Sequence, residues 1–122
     1  MKKKILDVGQ CGPDHYAIKH ALEPFDVEIR KCNHPEQAMK ILKEHHFDLV
    51  FVNRKIDIDY SEGIELVRMM KKDPVTKNIP VMLITNFPEH QKMAVQEGAV
   101  KGFGKDDLSS SSFKKLIQEY LD

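Results

Sequence analysis

The 122 residues carry 19 Lys plus Arg against 19 Asp plus Glu, so nothing in the charge balance calls for nucleic acid or an anionic membrane as a partner. Apolar residues make up 41% and charged residues 31%, which is ordinary folded composition, and a chain this long buries about two thirds of its unfolded surface without a metal or disulfide staple. Cys11 and Cys32 have neither zinc-ligand nor redox-pair spacing and are expected as free thiols in a reducing compartment. The basic opening Met1 to Lys4 resembles a signal n-region, but the apolar run behind it stops at Asp7. No segment has membrane length, so a cytoplasmic protein is expected. Six scattered histidines, with only His45 and His46 adjacent, predict no metal site, because a helix does not aim neighbouring residues at one ion.

Five short apolar runs alternate with five amphipathic stretches, the pattern of βα units around a parallel sheet in one domain spanning residues 1–122. Strand one is predicted over 5–9. The turn Gly12-Pro13-Asp14 opens a helix with Asp14 as its expected N-cap, Ile18, Ala21 and Leu22 inward, and Pro24 ending it. Strand two spans 27–32, and Pro35 begins a second helix with Ala38, Met39, Ile41 and Leu42 as its buried stripe. Strand three, 48–53, is apolar on both faces, as a strand covered on both sides should be. A polar loop over 54–62 precedes helix three, marked by Ile64, Val67 and Met70 and closed before Asp73-Pro74. Strand four is predicted over 79–85, helix four over 89–97 with Gly98 ending it, and strand five over 99–103. Serines 109–112 cap a last helix that turns Phe113, Leu116, Ile117 and Tyr120 to one face.

Several strings lie in order at matching spacing: KKKIL in strand one, DLVFVN in strand three, Gly63-Ile64-Glu65-Leu66 opening helix three, Asp73-Pro74, IPVMLIT, and EGAVKGFGK. On these the whole chain resembles the receiver domain of two-component response regulators, the CheY-like branch of the flavodoxin-like fold. The resemblance implies a doubly wound, three-layer αβα sandwich with a five-stranded parallel sheet in order 2-1-3-4-5. Right-handed crossovers give that winding once strand one is central.

In that family an aspartate ending strand three accepts a phosphoryl group from a histidine kinase, and with an acidic pair ending strand one it holds magnesium. A Thr or Ser after strand four and a Lys after strand five grip the phosphoryl oxygens. Thr85 and Lys105 match the last two positions. Asn53 stands at the acceptor position, and Gly9 and Gln10 at the acidic pair. An amide is no acyl-phosphate nucleophile, and Mg²⁺ is a hard cation held by carboxylates. The resemblance therefore points to a degenerate phosphorylation site at Asn53, Gly9, Gln10, Thr85 and Lys105, with no aspartyl phosphorylation and no metal. Lys105 is expected to bond the Asn53 side-chain oxygen or nearby carbonyls. The family's proline after that lysine is Asp106, and its aromatic switch position is Gly102, beside Phe103.

Asp57 and Asp59 read as solvated loop acids. Asp7 lies mid-strand and needs a partner if buried, with Lys105 or Lys4 as candidates. The expected function is a phosphorylation-independent receiver-like signalling module acting by protein–protein interaction. Its partner surface is expected to include Met93, Lys101, Gly102 and Phe103, by resemblance to the family's contact face. The alternative is a small-molecule or anion-binding domain using the pocket around Asn53, Thr85 and Lys105. The first turn, QCGPD, is neither a flavodoxin-type phosphate loop, a Gly-x-Gly-x-x-Gly fingerprint nor a P-loop, so no cofactor is expected. Cys11 is the one conceivable nucleophile, and no histidine is placed beside it by the sequence, so no enzyme is expected.

Overall fold

A computed structural model describes residues 2–121. Four parallel strands, β1 (Lys3–Val8), β2 (Val27–Cys32), β3 (Leu49–Asn53) and β4 (Val81–Ile84), form one sheet in the order β2-β1-β3-β4. The helices are α1 (Gly12–Ala21), α2 (Pro35–Glu44), α3 (Ile64–Lys72), α4 (Pro88–Gln96) and α5 (Ser111–Leu121), with one 3₁₀ turn at Lys105–Asp107. No helix among the described residues is long and apolar enough to cross a membrane.

Side chains alternate across each strand, so the central strands feed two cores. Ile5, Leu49, Phe51, Met82 and Ile84 pack with Ile18 and Leu22 of α1 and with Phe113 and Ile117 of α5. Leu6, Val8, Val50, Val52, Val81 and Leu83 pack on the other side with α2, α3 and Ala94 of α4. Three helices, α1, α2 and α4, carry Pro in the first turn, where its missing N–H costs nothing. The serine run caps α5 as expected: Ser110 Oγ accepts the Phe113 N–H at 3.1 Å. Asp14 is not the cap of α1. Cys11 holds the N-cap position, and Asp14 lies in the first turn with its carboxylate committed to Lys105.

The expected fifth strand does not form. Residues 99–103 run beside β4 but make a single parallel bridge, Met82 to Val100, with the Val100 N–H on Val81 O at 3.0 Å and the Thr85 N–H on Phe103 O at 3.0 Å. Between these two bonds the Gln91 side chain intrudes. Its Nε2 donates to Leu83 O at 2.9 Å and its Oε1 accepts the Gly102 N–H at 2.9 Å. A side-chain amide has the donor and acceptor of a peptide group, so Gln91 replaces one rung of the ladder. Gly102 is required beside it, because a Cβ there would meet Leu83 O at 2.4 Å. Four strands and a tethered edge segment result.

Candidate functional site

The carboxyl ends of β1 and β3, where doubly wound sheets bind ligands, are bracketed by Gly9. Its φ of 82° lies in the left-handed region, and a Cβ there would come 2.4 Å from the Cδ1 of the buried Ile56. Gly9 O accepts the Asp57 N–H at 2.9 Å and the Asn53 Nδ2–H at 3.3 Å, tying the loop after β3 to the end of β1. Asn53 Nδ2 also donates to Lys55 O at 2.7 Å. Lys105 Nζ donates to Asn53 Oδ1 at 3.2 Å, as expected, and to Asp14 Oδ2 at 2.7 Å. The Lys105 ammonium holds the Asp14 carboxyl below its ordinary range.

Hydrogen bonds join Asn53, Gly9 and Lys105, and among the described residues Thr85 makes none to them. The Thr85 hydroxyl accepts the Phe87 N–H at 3.3 Å and lies 3.5 Å from His90 Nδ1, facing the start of α4. Gln10 is buried, and neither atom of its amide has a hydrogen-bond partner among the described residues. Asp57 and Asp59 are exposed, as expected, with Asp59 bonding the Ser61 N–H and hydroxyl. Among the surface candidates, Met93 and Lys101 are exposed. Gly102 is buried, and Phe103 packs edge-to-face between Phe51 and Phe113, so its ring belongs to the core. A groove of about 630 Å³ runs between α4 and residues 101–104, floored by Gly102 and Phe103 and edged by Val95, Lys92 and Lys101.

Asp7 has a partner that neither Lys4 nor Lys105 supplies by hydrogen bond. It is fully buried, and its Oδ2 lies 2.7 Å from His15 Nδ1. Burial pushes the Asp7 carboxyl above its ordinary range, and the His15 contact opposes that shift. The signal was in the chain: His15, Ile18 and Leu22 are spaced three and four apart, so His15 sits on the inward stripe of α1. Gln91 was also missed, since nothing local marks a helix glutamine as a substitute for a strand rung.

The receiver domain family of response regulators matches residues 15–111. The chain belongs to that family. The receiver is 26% identical over 122 residues to the polar-differentiation response regulator DivK of Brucella ovis, covering 99% of this chain and 98% of the relative. Among solved structures it is similar to a putative response regulator from Chloroflexus aurantiacus, with a TM-score of 0.86 at 15% identity over 98% of both chains. It is also similar to the Vibrio cholerae chemotaxis protein CheY4, with a TM-score of 0.80 at 19% identity over 99% of this chain and 100% of the other. A third likeness is the receiver domain of the Pseudomonas aeruginosa sensor kinase PA1611, with a TM-score of 0.78 at 12% identity over 98% of both chains. That structure holds magnesium in its active-site cleft.

The side chains of this receiver do not fit such an ion. Position 9 has no side chain and no room for one, Gln10 is neutral, and the Asn53 amide is spent on Gly9 O, Lys55 O and the Lys105 ammonium. A hard divalent cation needs carboxylate oxygens at the centre, and here a lysine ammonium is bonded to the Asn53 oxygen instead.

Proposed function

We propose that this receiver signals without aspartyl phosphorylation and acts by binding a protein partner. One observation carries the reading: Lys105, which grips the phosphoryl group in the family, is already paired with Asp14 and Asn53. A phosphoryl group moves a two-state equilibrium only by interacting differently with the two states. With no acceptor carboxylate at position 53 and Thr85 turned toward α4, that differential term has no source. The pocket is degenerate, and one conformation dominates.

The partner face is the exposed side of α4 with the groove beside it, where Met93, Val95 and Lys101 are open to solvent. Gly102 contributes the floor of that groove rather than a contact side chain, and Phe103 supports it from the core. The alternative, an anion pocket around Asn53, Thr85 and Lys105, is less favoured because Lys105 has no free charge to offer.

The test has two arms. NMR titration with Mg²⁺ and beryllofluoride, a mimic of bound phosphoryl, should leave resonances around Thr85 and residues 99–104 unmoved. Affinity capture from the native cell with the unmodified receiver and with a Met93→Ser/Lys101→Glu variant should recover a partner that the variant loses. Large shifts at Thr85 would restore a phosphorylation switch, and equal recovery by both baits would remove the α4 face.

A further inference from the structure

At the carboxyl end of β1 the fold sets His15 on a buried carboxylate. Asp7 is 0% exposed and its Oδ2 lies 2.7 Å from His15 Nδ1, while the His15 side chain is 16% exposed. His15 Nε2 has no hydrogen-bond partner among the described residues and is not among their buried unpaired atoms, so it faces solvent. A carboxylate on Nδ1 selects the tautomer whose Nδ1 carries the proton and whose Nε2 carries the lone pair. That is the arrangement of a nucleophilic imidazole.

The surroundings favour an anion on Nε2. Helical side chains lean toward the helix N-terminus, so the His15 ring is directed to the opening turn of α1. Among the described residues no side chain caps that turn, which leaves the Gly12 and Asp14 N–H groups there for an anion, Pro13 having none and His15 N–H bonding Cys11 O. The Lys105 ammonium bonds Asp14 in the same turn, offsetting the charge of that carboxylate toward an incoming phosphate. Gln10, which leads into the turn, is 1% exposed with both amide atoms unpaired. Its amide lies beside Asp7 without a hydrogen bond of normal geometry. A buried polar side chain without partners costs free energy unless something engages it.

We propose that His15 is a phosphoryl acceptor, taking the group on Nε2 from donors in which phosphorus is bonded to nitrogen. The Nε2 lone pair forms the new N–P bond as the donor's P–N bond breaks, and the donor nitrogen, protonated in the incoming donor, leaves as a neutral amine with the bonding pair. The Nδ1 proton stays where it is. The positive charge that develops on the ring is stabilised by the Asp7 carboxylate, which is the role of the aspartate in a serine-protease triad. This acceptor is independent of Asn53 and of the partner face proposed above.

The other histidines of the intact protein provide the control. His20 and His46 are 70% and 78% exposed, far more open than His15, and their carboxylate partners Glu23 and Asp48 reach solvent where Asp7 is buried. On treatment with potassium phosphoramidate, tandem mass spectrometry should find His15 modified at least tenfold faster than His20 or His46. The adduct should survive alkali and be lost in acid, whereas an aspartyl phosphate is lost in both. Asp7→Asn should slow modification of His15 at least tenfold while leaving His20 and His46 unchanged. Long-range ¹H–¹⁵N NMR of the unmodified protein should show the Nδ1–H tautomer at His15. Reactivity that follows exposure, with His20 and His46 ahead of His15, would overturn the proposal, as would an Nε2–H tautomer.

Discussion

Replacing Gln91 by Met keeps the length of the side chain and removes both of its polar atoms. In the native protein Gln91 holds Leu83 O and the Gly102 N–H at 2.9 Å each, with longer 3.3 Å contacts to Thr85 O and Phe103 O. Leu83 and Gly102 are both buried, so the substitution strands one backbone acceptor and one backbone donor away from water. Leaving a buried backbone group unsatisfied costs about 1–2 kcal/mol, so Gln91→Met should lose roughly 2–4 kcal/mol. With a urea m-value of roughly 2 kcal/mol per molar, the unfolding midpoint should fall by roughly 1–2 M at unchanged slope. Amide exchange gives a local readout: Gly102 should lose protection before the β1 and β3 amides do. A loss below about 0.5 kcal/mol with Gly102 still protected would refute the reasoning. It would mean that residues 99–103 close onto β4 unaided and that Gln91 only decorates the gap.

Gly9→Asp, one step toward a metal-binding pair, should destabilise the protein by about 1–3 kcal/mol through its left-handed φ and the Ile56 contact. Thermal melts check the cost, and calorimetry should detect weak Mg²⁺ binding once Gly9→Asp is combined with Gln10→Asp and Asn53→Asp, because the carboxylates again converge, while no binding would refute the carboxylate argument. Asp14 and Asp7 should drive stability in opposite directions with pH. The folded Asp14 carboxyl is held below its ordinary value by Lys105, so its contribution is present above about pH 4 and is lost as pH falls through the folded value. At a 42% exposed side chain that contribution is under about 1 kcal/mol. The folded Asp7 carboxyl is raised by burial, so its contribution is fully present below about pH 4 and is lost as pH rises through the folded value. Urea melts of Asp14→Asn across the acid range should show a shallower acid loss than the unmodified protein, and a steeper one would reverse the assignment.

Local signals settle which segments become helices and strands in this receiver. Pro13, Pro35 and Pro88 start helices because a first-turn proline sacrifices no hydrogen bond, and Ser110 caps α5 because its hydroxyl reaches the Phe113 N–H. The two-faced apolar runs of β1, β3 and β4 require helices on both sides, and the winding follows from right-handed crossovers. Asn53, Gly9 and Gln10 were equally legible as positions without the family's acids. What the chain alone did not disclose depends on side chains far apart in sequence meeting at one point. Residues 99–103 have the composition of a strand, yet Gln91, carried on α4, takes the hydrogen bonds that pairing with β4 would use. Lys105 finds Asp14 91 residues away, which turns an expected cap into a counter-ion. Asp7 finds His15 because β1 and α1 pack face to face, and a buried carboxylate is tolerated only where packing supplies a partner. Propensity acts over a few neighbouring residues, so it writes the elements. Desolvation and hydrogen-bond competition act through space, so only the folded chain decides which polar groups are spent and which remain open.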